Sequence, residues 1–173
     1  MRQNILAILS LSLLTVSCND KEIFEQEMFE NRVALISSSY HNNFEESFPL
    51  RGEEVNGYIA ASVGGSYAPK QDITIQLEEE NTAFDRYNWS LYDADSSRYA
   101  RLLPKSNYHI PEYSLTIKAG ERTGKTLIHI NPNGLSPDST YFISLQAVEQ
   151  TDLLLNPNKK NVLYKVTIFN DYA

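Results

Sequence analysis

A single cysteine, Cys18, stands where a thiol can be acylated. Arg2 gives a positive start, residues 5–16 form an apolar run, and Ser17 precedes the cysteine. This is the layout of a bacterial signal peptide, and a cysteine just after the cut is what lipoprotein processing needs, since its sulfur accepts the diacylglycerol. Thr15 departs from the leucine commonest at that position. The run is too short to span a bilayer, which takes roughly 20 residues. Carboxylates offer a second chemistry. Glu78, Glu79 and Glu80 could supply the pair that glycoside hydrolysis requires, but successive strand residues point to opposite faces, and a charge run at a strand end reads as a solvated tip. Asp93 and Asp95, with Ser97, have the opening spacing of a calcium loop, yet Arg98 stands where glycine is needed and Pro104 where the closing glutamate belongs. They are at most a weak metal candidate, and no cofactor is expected.

His41, His109 and His129 are far apart in sequence and lack the spacing of a zinc site. Gly120 and Gly124-Lys125-Thr126 imitate a phosphate loop with one residue too few between the glycines, and read as a hairpin turn between two strands. The remaining candidates are aromatic. Tyr87, Trp89, Tyr92 and Tyr99 fall in one irregular stretch, where binding residues often lie. An exposed set of this kind stacks on the apolar faces of sugar rings. The competing use, which the pattern favours for Trp89, is as a plug at the end of a sandwich core.

The elements that must position these residues are short strands. After a signal over 1–17 and an acidic tether over 18–31, with a helical turn around 23–29, one domain is expected over 32–173. Strand patterns cover 32–37, 55–63 and 72–79, the last alternating cleanly with Ile73, Ile75 and Leu77 on one face. Residues 80–103 break the rhythm: a capped helical turn opens at Asn81 or Thr82, 93–97 reads as loop, and 99–103 as a short helix or irregular link ended by Pro104. Strand patterns return over 108–110, 114–118, 126–130, 140–148 and 162–169, separated by glycine- and proline-rich turns. Leu115, Ile117, Leu127, Ile128, Ile130, Phe142, Ile143, Leu145, Val166 and Ile168 are the expected core, each worth roughly 1.5–3 kcal/mol on burial. The fold class is all-β: an immunoglobulin-like antiparallel β-sandwich of about seven or eight strands with one irregular or short-helical crossover.

Composition narrows the partners. The formal charge is −7, which excludes nucleic-acid binding through phosphate neutralisation and leaves an acyl chain, not surface charge, to hold the protein to a membrane. Eleven tyrosines, seven phenylalanines and one tryptophan suit pleated, half-buried surfaces.

Tyr87-Asn88, Ala100-Arg101-Leu102-Leu103-Pro104, Tyr108, Thr116-Ile117-Lys118-Ala119-Gly120 and Leu135-Ser136-Pro137-Asp138 followed by Tyr141 occur here in that order. Over roughly 32–170 the chain resembles a Bacteroidetes domain of unknown function found at the N-terminus of lipid-anchored cell-surface proteins, encoded beside starch-utilisation-type glycan importers. The resemblance implies an immunoglobulin-like sandwich on the outer membrane, facing the exterior, with a spacer or glycan-accessory role, and no functional residues carry over. Members usually continue into a second domain, whereas this chain stops at Ala173, so the sandwich is expected to act alone or through a partner. The leading expectation is a non-enzymatic accessory, anchored through Cys18, that captures or presents polysaccharide beside outer-membrane importer proteins. A scaffold docking another surface protein is the alternative, and a glycoside hydrolase a minor one.

Overall fold

Ile73, Ile75 and Leu77 alternate with polar residues, and the computed structural model of the chain places a strand there with Ile75 and Leu77 buried. The structure describes residues 30–170 apart from 39, 51 and 151. Cys18, the signal segment and nearly all of the tether lie outside the described residues. In chain order the elements are β1 (Val33–Leu35), β2 (Asn43–Pro49), β3 (Val55–Val63), β4 (Ile73–Glu79), α1 (Thr82–Tyr92), β5 (Arg101–Leu102), β6 (Tyr108–His109), β7 (Ser114–Ile117), β8 (Thr123–Ile130), β9 (Tyr141–Ala147) and β10 (Asn161–Phe169).

Two sheets form a sandwich. One has the order β1-β3-β8-β6, the other β2-β10-β9-β4-β7, with β5 also beside β9. The chain begins antiparallel to β3 through β1, then crosses to the other sheet, where β2 runs parallel to β10. With β3·β8 in one layer and β4·β9·β10 in the other, this is the immunoglobulin-like arrangement. Ten strands replace the expected seven or eight, because β2 is a charged edge strand and β5 is only two residues long, so neither carries a strand pattern. The sandwich is also not purely antiparallel, since β2–β10 and β5–β9 are parallel pairs.

Several local expectations are corrected. The sequence of β2, Asn-Phe-Glu-Glu-Ser-Phe-Pro, looked like no strand; it is an edge strand, where charges and proline are tolerated. Residues 99–103 contain the strand β5, and the stretch after Glu80 opens a full helix of 11 residues. The turn at Ala119-Gly120 is not a hairpin: β7 pairs with β4 and β8 with β3, so it carries the chain from one sheet to the other. Gly124 lies in β8 and serves close approach, not turning; a Cβ there would come within 2.7 Å of the Thr116 carbonyl carbon. Leu127, expected in the core, is half exposed, because Ile128 and Ile130 take the inward positions of β8 and alternation sends Leu127 outward.

The two sheets are pinned through a buried polar group. Tyr164 of β10 is fully buried and its hydroxyl donates to Oε2 of Glu46 on β2. The Tyr58 amide of β3 donates to the same oxygen at 3.1 Å. The space for this contact exists because residue 57 is glycine; a Cβ there would overlap the Tyr164 hydroxyl. Burial, then the hydrogen bond to Glu46, pushes the Tyr164 phenol far above its ordinary value.

Strand β9 is buried on both faces, with Tyr141 through Leu145 all inaccessible. The second cover is α1, whose Phe84 and Tyr87 pack with Phe142, Leu163 and Ala100 as a smaller core outside the sheet. Substitution Gly57→Ala is expected to destabilise the domain by about 1–3 kcal/mol through overpacking, and Tyr164→Phe by about 1–3 kcal/mol through loss of its charge-assisted hydrogen bond to Glu46. Urea unfolding of the variants measures both; a midpoint unchanged in either would show the pin to be dispensable.

Candidate functional site

The aromatic set sits on and around α1. The helix starts at Asn81–Thr82, where Glu80 accepts the Thr82 amide at 2.9 Å and bonds the Thr82 hydroxyl. Its inward stripe is Phe84, Tyr87 and Asn88. Tyr87, a candidate for the sugar platform, is therefore corrected: it is buried, with its ring 4.8 Å from that of Phe142, and it anchors the helix. Trp89 is corrected in the opposite sense. It plugs no core but is 61% exposed on the outer face of the helix.

Asn88 is buried and closes the crossover. Its Oδ1 accepts the Ala100 amide at 2.9 Å and its Nδ2 donates to the Ala100 carbonyl at 3.3 Å. The helix ends at Asp93, whose φ of 50° is costly for a residue with a Cβ. The Asp93 carbonyl accepts the Tyr99 hydroxyl at 2.6 Å. These two links bring Tyr99 back to the helix. Tyr92 and Tyr99, both half-buried, have ring centroids 6.4 Å apart. Trp89 and Tyr99 line one shallow hollow of about 470 Å³ with Thr82, Asp85 and Arg86. An apolar indole flanked by hydroxyl, carboxylate and guanidinium groups can stack a pyranose ring and bond its hydroxyls. Of the four candidates the structure thus brings together Trp89, Tyr92 and Tyr99.

The carboxylates are tied to structural partners. Glu78 accepts from Gln146 at 2.6 Å, and Glu80 caps the helix. Glu79 accepts the Tyr108 and Tyr113 hydroxyls at 2.8 and 2.6 Å and pairs with Lys105. Burial raises its pKa, but Lys105 and the two phenols outweigh that and hold the carboxyl below its usual range. Burial, then Glu79, lifts Tyr113 to about 12. A glycosidase general acid needs the opposite shift. Asp95 accepts the Ser97 hydroxyl at 2.5 Å, and among the described residues no group of three or more histidine, cysteine, aspartate or glutamate side chains could hold a metal ion. His109 and His129, distant in sequence, are cross-strand partners with rings stacked at 6.2 Å. Only the pairing of β6 with β8 reveals this; the strand pattern over 108–110 does not name its partner.

Two outcomes follow for this region. Asn88→Ala leaves the buried Ala100 amide and carbonyl unsatisfied and is expected to cost about 1–3 kcal/mol, whereas the exposed Trp89→Ala is expected to stay within about 0.5 kcal/mol; thermal melts compare them. Glu79, with its folded pKa depressed, contributes stability that is present above the ordinary carboxylate range and lost as pH falls through its lowered value. Glu79→Gln should therefore lower stability at neutral pH and flatten the acid side of the stability profile. An unchanged acid limb would contradict that role.

Comparisons with known proteins accord with the geometry. A family model described as a "-like, N-terminal domain" matches residues 29–153. No curated protein sequence matches the chain. Among solved structures, a multidomain protein including DUF1735 from Bacteroides ovatus is similar at TM-score 0.66 and 19% identity, over 81% of this chain and 46% of that one. An auxiliary nutrient binding protein from Bacteroides thetaiotaomicron aligns at TM-score 0.58 and 18% identity, over 79% and 48%. EndoBT-3987 from Bacteroides thetaiotaomicron, solved with Man5GlcNAc product, aligns at 0.51 and 20%, over 72% and 28%. The chain spans about half the length of the first solved structures it matches. The motif string falls on framework contacts: Asn88 holds Ala100, and the Tyr141 hydroxyl accepts the Ser136 amide at 3.1 Å, a tyrosine corner at the start of β9. With its matched residues spanning most of the sandwich, the chain belongs to this family of Bacteroidetes N-terminal domains.

Proposed function

We propose that the protein is a non-enzymatic accessory module of the bacterial surface that captures or presents polysaccharide, held to the outer membrane through a lipid on Cys18. The observation that carries the glycan reading is the exposed Trp89 beside Tyr99 in one open hollow with Thr82, Asp85 and Arg86. Rigid aromatics bind at low entropic cost. The nutrient-binding and Man5GlcNAc-bound neighbours support the same direction. The signal layout ending at Cys18 supports the anchor. Among the described residues no helix is long and apolar enough to cross a membrane.

A scaffold role is the second reading, and one observation favours it. Tyr58 and Leu127 are cross-strand partners on the outer face of the four-stranded sheet, both exposed. A partner protein would cover that pair and leave Trp89 free.

Affinity electrophoresis and calorimetry against plant, host and microbial glycans test the first reading. Trp89→Ala is expected to weaken binding by at least about tenfold, equivalent to about 1.4 kcal/mol, without moving the unfolding midpoint. Absence of binding to every glycan would refute it, and stoichiometric recovery of a protein with the wild type but not with Leu127→Asp would establish the scaffold. Cys18→Ser is expected to move the protein from the membrane fraction to the soluble fraction of its native cell, as fractionation and radiolabelled palmitate incorporation would report.

A further inference from the structure

Two hollows meet at Tyr99. The first is the Trp89 platform. The second, about 370 Å³, is also lined by Tyr99, together with Tyr92, Arg98, Arg101, Asp138 and Thr140 among others. Both hollows hold a carboxylate, a hydroxyl and a guanidinium, but the first adds the exposed indole of Trp89 and the second a second guanidinium. Adjacent hollows sharing a wall suit neighbouring units of one chain.

The charge of the second hollow is out of keeping with the protein. The whole chain carries −7, and four of its lysines are committed to carboxylates: Lys105 to Glu79, Lys118 to Asp72, Lys160 to Glu149 and Lys165 to Glu45. Arg98 and Arg101 take part in none of the ion pairs among the described residues. The Arg98 guanidinium instead rests over the Tyr92 ring, 5.1 Å from its centroid, which orients the group without neutralising it. The Arg101 backbone is fixed by its amide N–H, which donates to the Thr140 carbonyl at 2.9 Å. Asp138 is the one acidic residue of the lining, so two cations face one anion there. Asp95, on the neighbouring loop, is engaged by Ser97. A planar guanidinium is the side chain best matched to a carboxylate or sulfate.

We propose that the surface binds an acidic oligosaccharide: one ring stacks on Trp89 and Tyr99, and an adjoining uronate or sulfated sugar places its anion against Arg98 and Arg101. The proposal rests on the glycan reading above and deepens it. The test is calorimetry of the full chain with three oligosaccharide series of matched length: neutral gluco- and manno-oligosaccharides, oligogalacturonates, and chondroitin sulfate oligosaccharides. An acidic series is expected to bind at least about tenfold tighter than the neutral one, more tightly as an oligomer than as a single sugar, and more weakly as salt rises. Arg98→Gln and Arg101→Gln are each expected to erase that preference, while Trp89→Ala weakens every series. Both arginines are exposed, so unchanged thermal melts will confirm that the variants fold. The oligogalacturonate and chondroitin arms separate carboxylate from sulfate. Equal binding of neutral and acidic chains, or a preference that survives both arginine substitutions, overturns the proposal and leaves glycan capture standing. Binding of none of the series refutes glycan capture itself.

Discussion

The rest of the structure depends on one buried phenol. Tyr164 crosses the interior to reach Glu46 and is met from the opposite sheet by the Tyr58 amide. It thereby fixes three strands from two layers at a single point. The buried Tyr164 hydroxyl would be costly left unpaired, so this contact tolerates little slippage of β2 along β10. A one-residue shift would turn Glu46 to the other face and bury its neighbour instead. The absence of a side chain at Gly57 is part of the same device. The parallel β2–β10 pair is what lets the chain start in one sheet and continue in the other, leaving neither β3 nor β10 as a bare edge.

From that register follows the position of the helix. With β10 held by Tyr164, its neighbour in sequence Leu163 points outward, and Phe142 of β9 stands beside it. Both are large and apolar, so the outer face of this sheet cannot be left to water. The crossover between β4 and β5 supplies the cover through Phe84 and Tyr87, at 3.6-residue spacing. Covering that face with one side of an 11-residue helix obliges the opposite side to face solvent. Thr82, Arg86 and Trp89 lie there. The exposure of Trp89 is thus a consequence of where the apolar stripe of α1 falls.

Most of the strands were legible because alternation is strong wherever one face is buried and the other wet. That condition holds for β3, β4 and β7, whose predicted and observed bounds agree to within a residue or so. It fails for β2, an edge strand whose Glu45 and Glu46 look solvated although Glu46 reaches the interior. β9, covered on both sides, lacks that alternation, yet its largely apolar run still places it, with expected bounds 140–148 against Tyr141–Ala147. The aromatic cluster was legible as a cluster but not in its orientation. Tyr87 and Trp89 are two residues apart, so on a helix they point about 200° apart, and only the helix assignment tells which one is inside. The pairing of His109 with His129 depends on which strand β6 meets, and the meeting of Arg98 with Arg101 at Tyr99 on β5, which at two residues has no periodicity to be read.

What makes the Trp89–Tyr99 surface a plausible site is its rigidity more than its area. Single exposed aromatics are common on proteins and need no explanation. Here both ends of the segment between them are fastened: Asn88 bonds the Ala100 amide and carbonyl, and the Tyr99 hydroxyl bonds the Asp93 carbonyl. Residues 93–99 are thereby closed into a loop across the helix end, with Asp93 held at a positive φ that a free chain would avoid. A carbohydrate offers weak individual contacts, and ordering a loose loop around it would cancel much of what stacking supplies. A platform already locked by buried hydrogen bonds avoids that loss. The contacts of Asn88 that hold the crossover together therefore also hold Trp89 and Tyr99 in place for the proposed stacking.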